Sequence, residues 1–355
     1  MTDGTTSTDN RSDDNWVLVS DGANAGTRDS VVTIRALARG GYRIAVTVRS
    51  ERAVLSRYVD RRVAVDGREI GDLIRWEMSR RDYCAFIPAS ENVVLSMETP
   101  VPGLLDKVTV SRRAREVGLS VPEEMVFESP SDLAASASIL PYPVVVKPAT
   151  RTFNALRADD ASQLRAVPRD SGELIVQPFL AGPMTAIAGV MWDSRIHSSV
   201  TERWERIWPA DCGLAAWAVS IPRSERHQAA LAELMSGYSG LFVAQFVADR
   251  LIDLNLRAHS SLPLAVHAGA NLAAIYADLS RGLSPPPAHA EPGHTFRWIS
   301  GDVKRAVHSM RSGSTSISRA LKTLSPVRGT VHSMFYWRDP APMLARLASR
   351  LPGSR

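Results

Sequence analysis

Cysteine is scarce in this chain. The two present, Cys84 and Cys212, stand far apart and in no metal-type spacing. That excludes a disulfide framework and a cysteine-built zinc site, and it suits a reducing, cytoplasmic setting. Long apolar runs are missing too. No stretch approaches the roughly 20 residues of a membrane-spanning helix, so no membrane association is expected. Charge of one sign never accumulates. The net charge is +5 over 355 residues. The densest basic patch, "SRRAREVG" (Ser111–Gly118), reads as a solvated helix face, and no nucleic-acid partner is expected. No internal repeat is visible. The opening "MTDGTTSTDNRSDDN" has no apolar stretch to offset the entropy of ordering, so residues 1–15 read as a disordered leader and not a signal peptide.

What remains is an ordinary globular balance, 45% hydrophobic and 22% charged, at a length suited to two or three domains. "WVLVSDG" (Trp16–Gly22) reads as a buried strand ending in a glycine turn. "SVVTIRALARGGY" follows as a helix closing on Gly40 and Gly41, then "RIAVTVRS" and "YCAFIPAS" as strands. This alternation predicts a parallel, doubly wound unit over 16–102. "GANAG" (Gly22–Gly26) lacks the full dinucleotide fingerprint and reads as a strand–helix turn beside a substrate pocket.

From Asp106 the texture changes. A helix stopped by Gly118 leads past Pro122 to a short strand. "YPVVVKPA" (Tyr142–Ala149) and "ELIVQPFLAG" (Glu173–Gly182) are further strands. "AIAGVMWDSRIHSSVTERWERIW" predicts a hairpin around "WDSR". After the helix in "RHQAALAELMSGYSG", "LFVAQFVADRLIDLNLR" predicts two strands turning at Asp249-Arg250. "GLSPPPAHAEPGH" reads as a surface connection into a tail of mixed character.

"LIDLNLRAHS" (Leu251–Ser260) is the most informative stretch. Alternation on a strand would set Asp253, Asn255 and Arg257 in one row, with Ile252, Leu254 and Leu256 on the opposite face. A carboxylate and a carboxamide offer hard oxygen ligands for Mg²⁺, and Gln245 on the partner strand could add a third. Arg257 supplies a forked donor for a phosphate oxygen. Lys147 ends an apolar strand and requires an anionic partner. Lys107 opens a helix. The row reads as one wall of a metal–triphosphate site.

The order of these pieces over about Val17–Gly282 resembles the ATP-grasp superfamily, close to its carbamoyl-phosphate-synthase-like branch. The resemblance implies an α/β and α+β protein: a Rossmann-like parallel-sheet domain (16–102), a small lobe with hinge (103–182), a large lobe with the metal strand (183–285) and a C-terminal extension (286–355). It implies ATP contacts from Lys107 and Lys147 to phosphate and from Gln177, Pro178, Phe179 and Leu180 at the adenine hinge. It makes Gln245, Asp253 and Asn255 metal ligands and Arg257 the catalytic residue. Arg203, between tryptophans, is assigned to the nucleotide, against the alternative of an exposed charge on an edge strand. "HSSLPLAVHAGANL" is similar to the segment lining the acceptor side. His259 and His267 within it read as structural. The implied cofactors are ATP and Mg²⁺, with Mn²⁺ as a substitute. The implied partners are a small carboxylate and a small amine, with a homodimer allowed.

The sequence departs from the family pattern in places. The flap "ATRTFNALRADD" has no glycine, so few backbone N–H groups are free to cradle phosphate; Arg151 or Thr152 would have to compensate. Met184 stands where a ribose-binding carboxylate is usual. Asp253 is one methylene shorter than the customary Glu, and the metal set carries one formal charge. Two other readings therefore stay open: a non-catalytic ATP-binding relic, and an interaction module with an empty cleft.

Overall fold

The computed structural model describes residues 15–22, 26–49, 55–97, 101, 103–150 and 152–348. The expected leader apart from Asn15, the middle of "GANAG", Pro102 and Arg151 lie outside them.

The N-terminal unit is a parallel sheet of β1 (Trp16–Ser20), β2 (Arg43–Val48), β3 (Arg61–Ala64) and β4 (Ala85–Pro88), in the order β3-β2-β1-β4. Val17, Leu18, Ile44 and Val46 are fully buried, the continuous apolar run that a sheet covered on both faces requires. The helix Arg28–Arg39 starts on Thr27, whose side chain accepts from Ser30 N, and closes on Gly40 as expected. β3 and the helix Ile70–Arg80 were not legible in the sequence. β3 is four residues long, two of them exposed, and carries no alternation to read.

The small lobe is an antiparallel sheet of β5 (Met125–Phe127), β6 (Val144–Pro148), β7 (Leu156–Ala158) and β8 (Leu174–Pro178), ordered β5-β8-β6-β7. The helix Lys107–Glu116 precedes it, capped by Asp106, which accepts from Thr109 N. Arg112 and Arg115 pair with Glu116 and Glu124 on that helix's solvated face.

The large sheet holds β9 (Met184–Trp192), β10 (Arg195–Trp208), β11 (Leu214–Ile221), β12 (Gly240–Val247), β13 (Arg250–Asn255), β14 (Thr295–Arg297) and β15 (Val331–His332). Its order is β13-β12-β9-β10-β11-β14-β15. The hairpin around "WDSR" forms, with Asp193 and Ser194 both at positive φ. The next hairpin turns at Ala248 and Asp249, one residue earlier than expected. β10 lies inside the sheet, which removes the edge-strand alternative for "TERWERIW". β14 and β15 come from the tail and complete this sheet. Buried Asp302, on the tail helix Ile299–Arg311, accepts from both Arg206 and Arg297. The proline-rich connection is mostly exposed yet pinned, with Ser199 bonded to Ala288 and Ala290.

The expected alternation along β13 needs correction. The register skips Ile252 between the pairs Gln245–Asp253 and Phe246–Leu251. This β-bulge places Leu251, not Ile252, in the core with Leu254 and Leu256. Ile252 instead borders the cleft described next.

Candidate active site

A cleft of about 1000 Å³ takes its walls from the N-terminal unit, both lobes and the tail. Every site residue expected from the sequence lines it: Lys107, Lys147, Gln177, Pro178, Phe179, Leu180, Arg203, Gln245, Asp253, Asn255 and Arg257.

Its floor is a compact charge network. Lys107 Nζ stands 3.3 Å from Asp253 Oδ1 and 3.4 Å from Glu91 Oε1. Burial works to lower the Lys107 pKa, but Asp253 and Glu91 outweigh it and hold the ammonium above its ordinary range. Lys147 donates to Ile252 O at 2.7 Å, so the bulge that exposes Ile252 also gives the buried lysine its acceptor. Burial pushes the Lys147 pKa down to about 8, with Asp253 opposing that shift and Lys107 adding to it. Burial alone would raise the Asp253 carboxyl; Lys107, Lys147 and the Asn255 amide hold it below its ordinary value. Asn255 Nδ2 donates to Asp253 Oδ2 at 2.7 Å.

At the end of β8, expected as the hinge, Phe179 N donates to Pro143 O at 2.8 Å. The Arg157 guanidinium carbon lies 4.1 Å from the Phe179 ring centre, and Gln177 Nε2 donates to Glu124 at 3.1 Å. Gly182 ends this stretch at φ +149°, and a Cβ there would stand 2.8 Å from that of Ala248. Arg203 faces the cleft and pairs with Glu205, while Arg206 is spent on Asp302. Arg257 donates to Asp29 at 3.0 Å and to Ala258 O at 2.8 Å.

Several cleft residues were not singled out from the sequence: Asp29, Glu91, Trp298 and Arg305. The first two sit at helix starts and read locally as N-terminal charges. Trp298 and Arg305 belong to the tail and carry no motif. His259 is buried, as a structural reading requires, with its Nε2 3.9 Å from Glu202 Oε1. Half-buried Cys212 also lines the cleft, and burial pushes its thiol up to about 11, far from a thiolate nucleophile.

The donor set bears on the implied magnesium. Among the described residues no group of three or more His, Cys, Asp or Glu side chains forms a metal cage. Asp253 Oδ1 is buried without an aligned hydrogen bond, so its contact with Lys107 is Coulombic and leaves the oxygen's lone pairs unmatched. One carboxylate oxygen beside two carboxamides fits a magnesium ion that draws its other ligands from nucleotide phosphates and water.

No family model matches the sequence, and a search of curated proteins finds no match. Solved structures do match. An L-amino acid ligase from Bacillus licheniformis aligns at TM-score 0.57 and 15% identity, over 78% of this chain and 76% of that one. A carboxyaminoimidazole ribonucleotide synthase from Aspergillus clavatus, complexed with ATP, aligns at TM-score 0.61 and 15% identity, over 80% and 81%. The biotin carboxylase domain of a 2-oxoglutarate carboxylase from Hydrogenobacter thermophilus, complexed with MgADP, ADP and bicarbonate, aligns at TM-score 0.57 and 13% identity, over 79% and 73%. The chain has the ATP-grasp fold that these proteins share. At such identities the likeness concerns architecture, and chemistry rests on the cleft's own residues.

Proposed function

We propose that this protein is an ATP- and magnesium-dependent ligase that joins a carboxylate to an amine. The observation that carries this reading is the meeting, in one cleft, of buried Lys147, half-buried Lys107, the end of β8 and the Gln245–Asp253–Asn255 row. A carboxylate oxygen attacks the γ-phosphorus of ATP and ADP leaves. The amine then attacks the acylphosphate carbon, phosphate leaves, and the amine gives up a proton to solvent or phosphate.

The chain's residues bind and orient these groups. Lys107 and Lys147 meet phosphate oxygens. Pro178 O and Leu180 N–H serve the adenine edge, since Phe179 N is already bonded to Pro143 O. Phe179 packs beside the base, Gln177 keeps Glu124 in place, and Arg203 lies toward the nucleotide. Gln245, Asp253 and Asn255 would hold magnesium, which would supply neutralisation of phosphate charge. Arg257 is placed for the transferred phosphoryl group. Positioning and charge neutralisation supply most of the rate. The functional units are 16–102, 103–182 and 183–285, with 286–355 as an extension that adds to the large sheet.

One observation favours a second reading. The metal row brings a single carboxylate against two lysines, which also suits a relic that binds nucleotide without turnover.

Calorimetry with Mg·ATP tests the proposal. Wild type should bind in the micromolar range, and Lys147→Ala and Asp253→Ala should each weaken binding about tenfold or more, the cost of losing a hydrogen bond to a charged group. At pH 8, binding should take up protons as phosphate restores the Lys147 ammonium, and less so at pH 6.5. Absence of wild-type binding to folded protein would overturn the ligase reading. Binding without ADP release across a carboxylate–amine screen would leave the relic.

A further inference from the structure

The tail shows charge of one sign to solvent. Between Ile299 and Ala348 its acids are Asp302 and Asp339, and both are 1% exposed. Lys304, Arg311, Arg319, Lys322, Arg328 and Arg338 are exposed. Where the tail meets the N-terminal unit, its surface is also aromatic. Trp337 is 71% exposed, Phe335 49% and Tyr336 36%. Three guanidinium groups join these rings. The Arg338 guanidinium carbon lies 4.9 Å from the Trp337 ring centre, that of Arg35 5.3 Å from Tyr336, and that of Arg57 5.9 Å from Tyr58. Arg57 Nη1 donates to Arg338 O at 3.5 Å, and Tyr58 and Tyr336 interact through their hydroxyl groups, so the two segments form one face. Asp339 lies beneath it. That carboxylate pairs with the Arg35 guanidinium and takes only the backbone N–H of Arg57. The Arg57 and Arg338 guanidinium groups are left without a carboxylate among the described residues. Stacking occupies the face of a guanidinium and leaves its forked edge for a carboxylate.

We propose that this face docks an acidic segment of a partner protein. Its charge calls for carboxylates, and its Trp, Tyr and Arg content, without lysine, is that of a protein interface core. A second copy of this chain fits poorly: a two-fold contact would set Arg57 and Arg338 against their own counterparts. Two unpaired cations are also fewer than the basic cluster that recruits an anionic lipid surface. Leu344 and Leu347, exposed on the helix that follows, offer aliphatic surface where single-stranded nucleic acid needs ring faces. None of the residues in this face lines the cleft, so the proposal does not depend on the ligase reading.

The test pans a phage-displayed library of random peptides on the full chain. Recovered peptides should combine Asp or Glu with Leu or an aromatic residue. Synthesised and titrated by calorimetry, they should lose about tenfold or more in affinity with Trp337→Ser and with Arg57→Ala, the loss expected for an interface anchor. Arg57→Lys should keep part of the affinity. Changing the peptide acids to their amides should weaken binding to wild type in the same way. Both variants should keep the wild-type melting temperature, because the altered side chains are exposed. The proposal is overturned if no peptide is enriched, if the enriched peptides lack acids, or if they bind both variants as they bind wild type. It is equally overturned if phosphatidylglycerol vesicles or poly(dT) bind through Arg57 and Trp337 where the peptides do not, or if sedimentation shows a wild-type dimer that Trp337→Ser dissolves.

Discussion

Glu202 and His259 are buried side by side without forming an ion pair at neutral pH. Burial pushes Glu202 up to about 7, opposed by hydrogen bonds from Trp204 and Ser261. Burial and Arg257 push His259 down to about 3. The two act on stability with opposite signs. Between the ordinary Glu value of 4.5 and about 7, the folded state holds a proton on Glu202 that the unfolded chain has lost. Stability from this group is therefore complete at low pH and falls as pH rises through that window. For His259 the unfolded chain holds the extra proton between about 3 and 6.5, so stability climbs with pH there. The slopes oppose each other where the windows overlap. Glu202→Gln removes the falling one. Its gain over wild type should be small at pH 4.5 and reach on the order of 2–3 kcal/mol at pH 8. Urea unfolding at both pH values checks this, and an equal gain at both would show that Glu202 does not titrate in the window.

At the scale of elements, two local devices set the site. The bulge in β13 turns Ile252 out of the core and hands its carbonyl to Lys147. The Asp106 cap fixes the first turn of the helix that presents Lys107, accepting from Thr109 N at 2.7 Å. Lys107 N also donates to Ala149 O, just past the Lys147 strand, at 3.1 Å. Cap and strand end therefore hold both lysines together. Asp106→Ala should cost about 1 kcal/mol of stability and weaken Mg·ATP binding at temperatures where the protein is fully folded. Asp106→Ser should recover both in calorimetry and thermal melting. Unchanged nucleotide affinity in Asp106→Ala would mean that Lys107 is positioned without its cap.

Across the whole molecule, the tail clamps the N-terminal unit. Asp339 is 1% exposed and accepts from Arg35 Nε at 2.9 Å, Ser56 Oγ at 2.7 Å and Arg57 N at 3.0 Å. Asp302 performs the matching task inside the large sheet, through Arg206 and Arg297. Removing one partner from such a buried pair strands the other charge. Asp339→Ala should lose about 3–5 kcal/mol in denaturant unfolding. A loss under 1 kcal/mol, the range of a surface ion pair, would show that the tail does not clamp the fold. Among the described residues no helix is long and apolar enough to cross a membrane.

The sequence by itself determined the elements whose pattern is local: the apolar runs of β1, β2 and β6, the turns at "WDSR" and Gly118, and the polar row of "DLNLR". These were legible because a lysine ending an apolar strand, or a carboxylate beside a carboxamide, carries its chemistry in a few adjacent residues. β3 was not, being short and half-exposed. Ile252 was misplaced because a bulge breaks the period on which alternation rests. Only the tertiary structure decided that Asp29 meets Arg257 across 228 positions, that Glu91 shares Lys107 with Asp253, and that Arg28 stacks on Trp298 from the tail. Contacts between distant segments leave no periodicity in either one, so only packing them together reveals which charges meet.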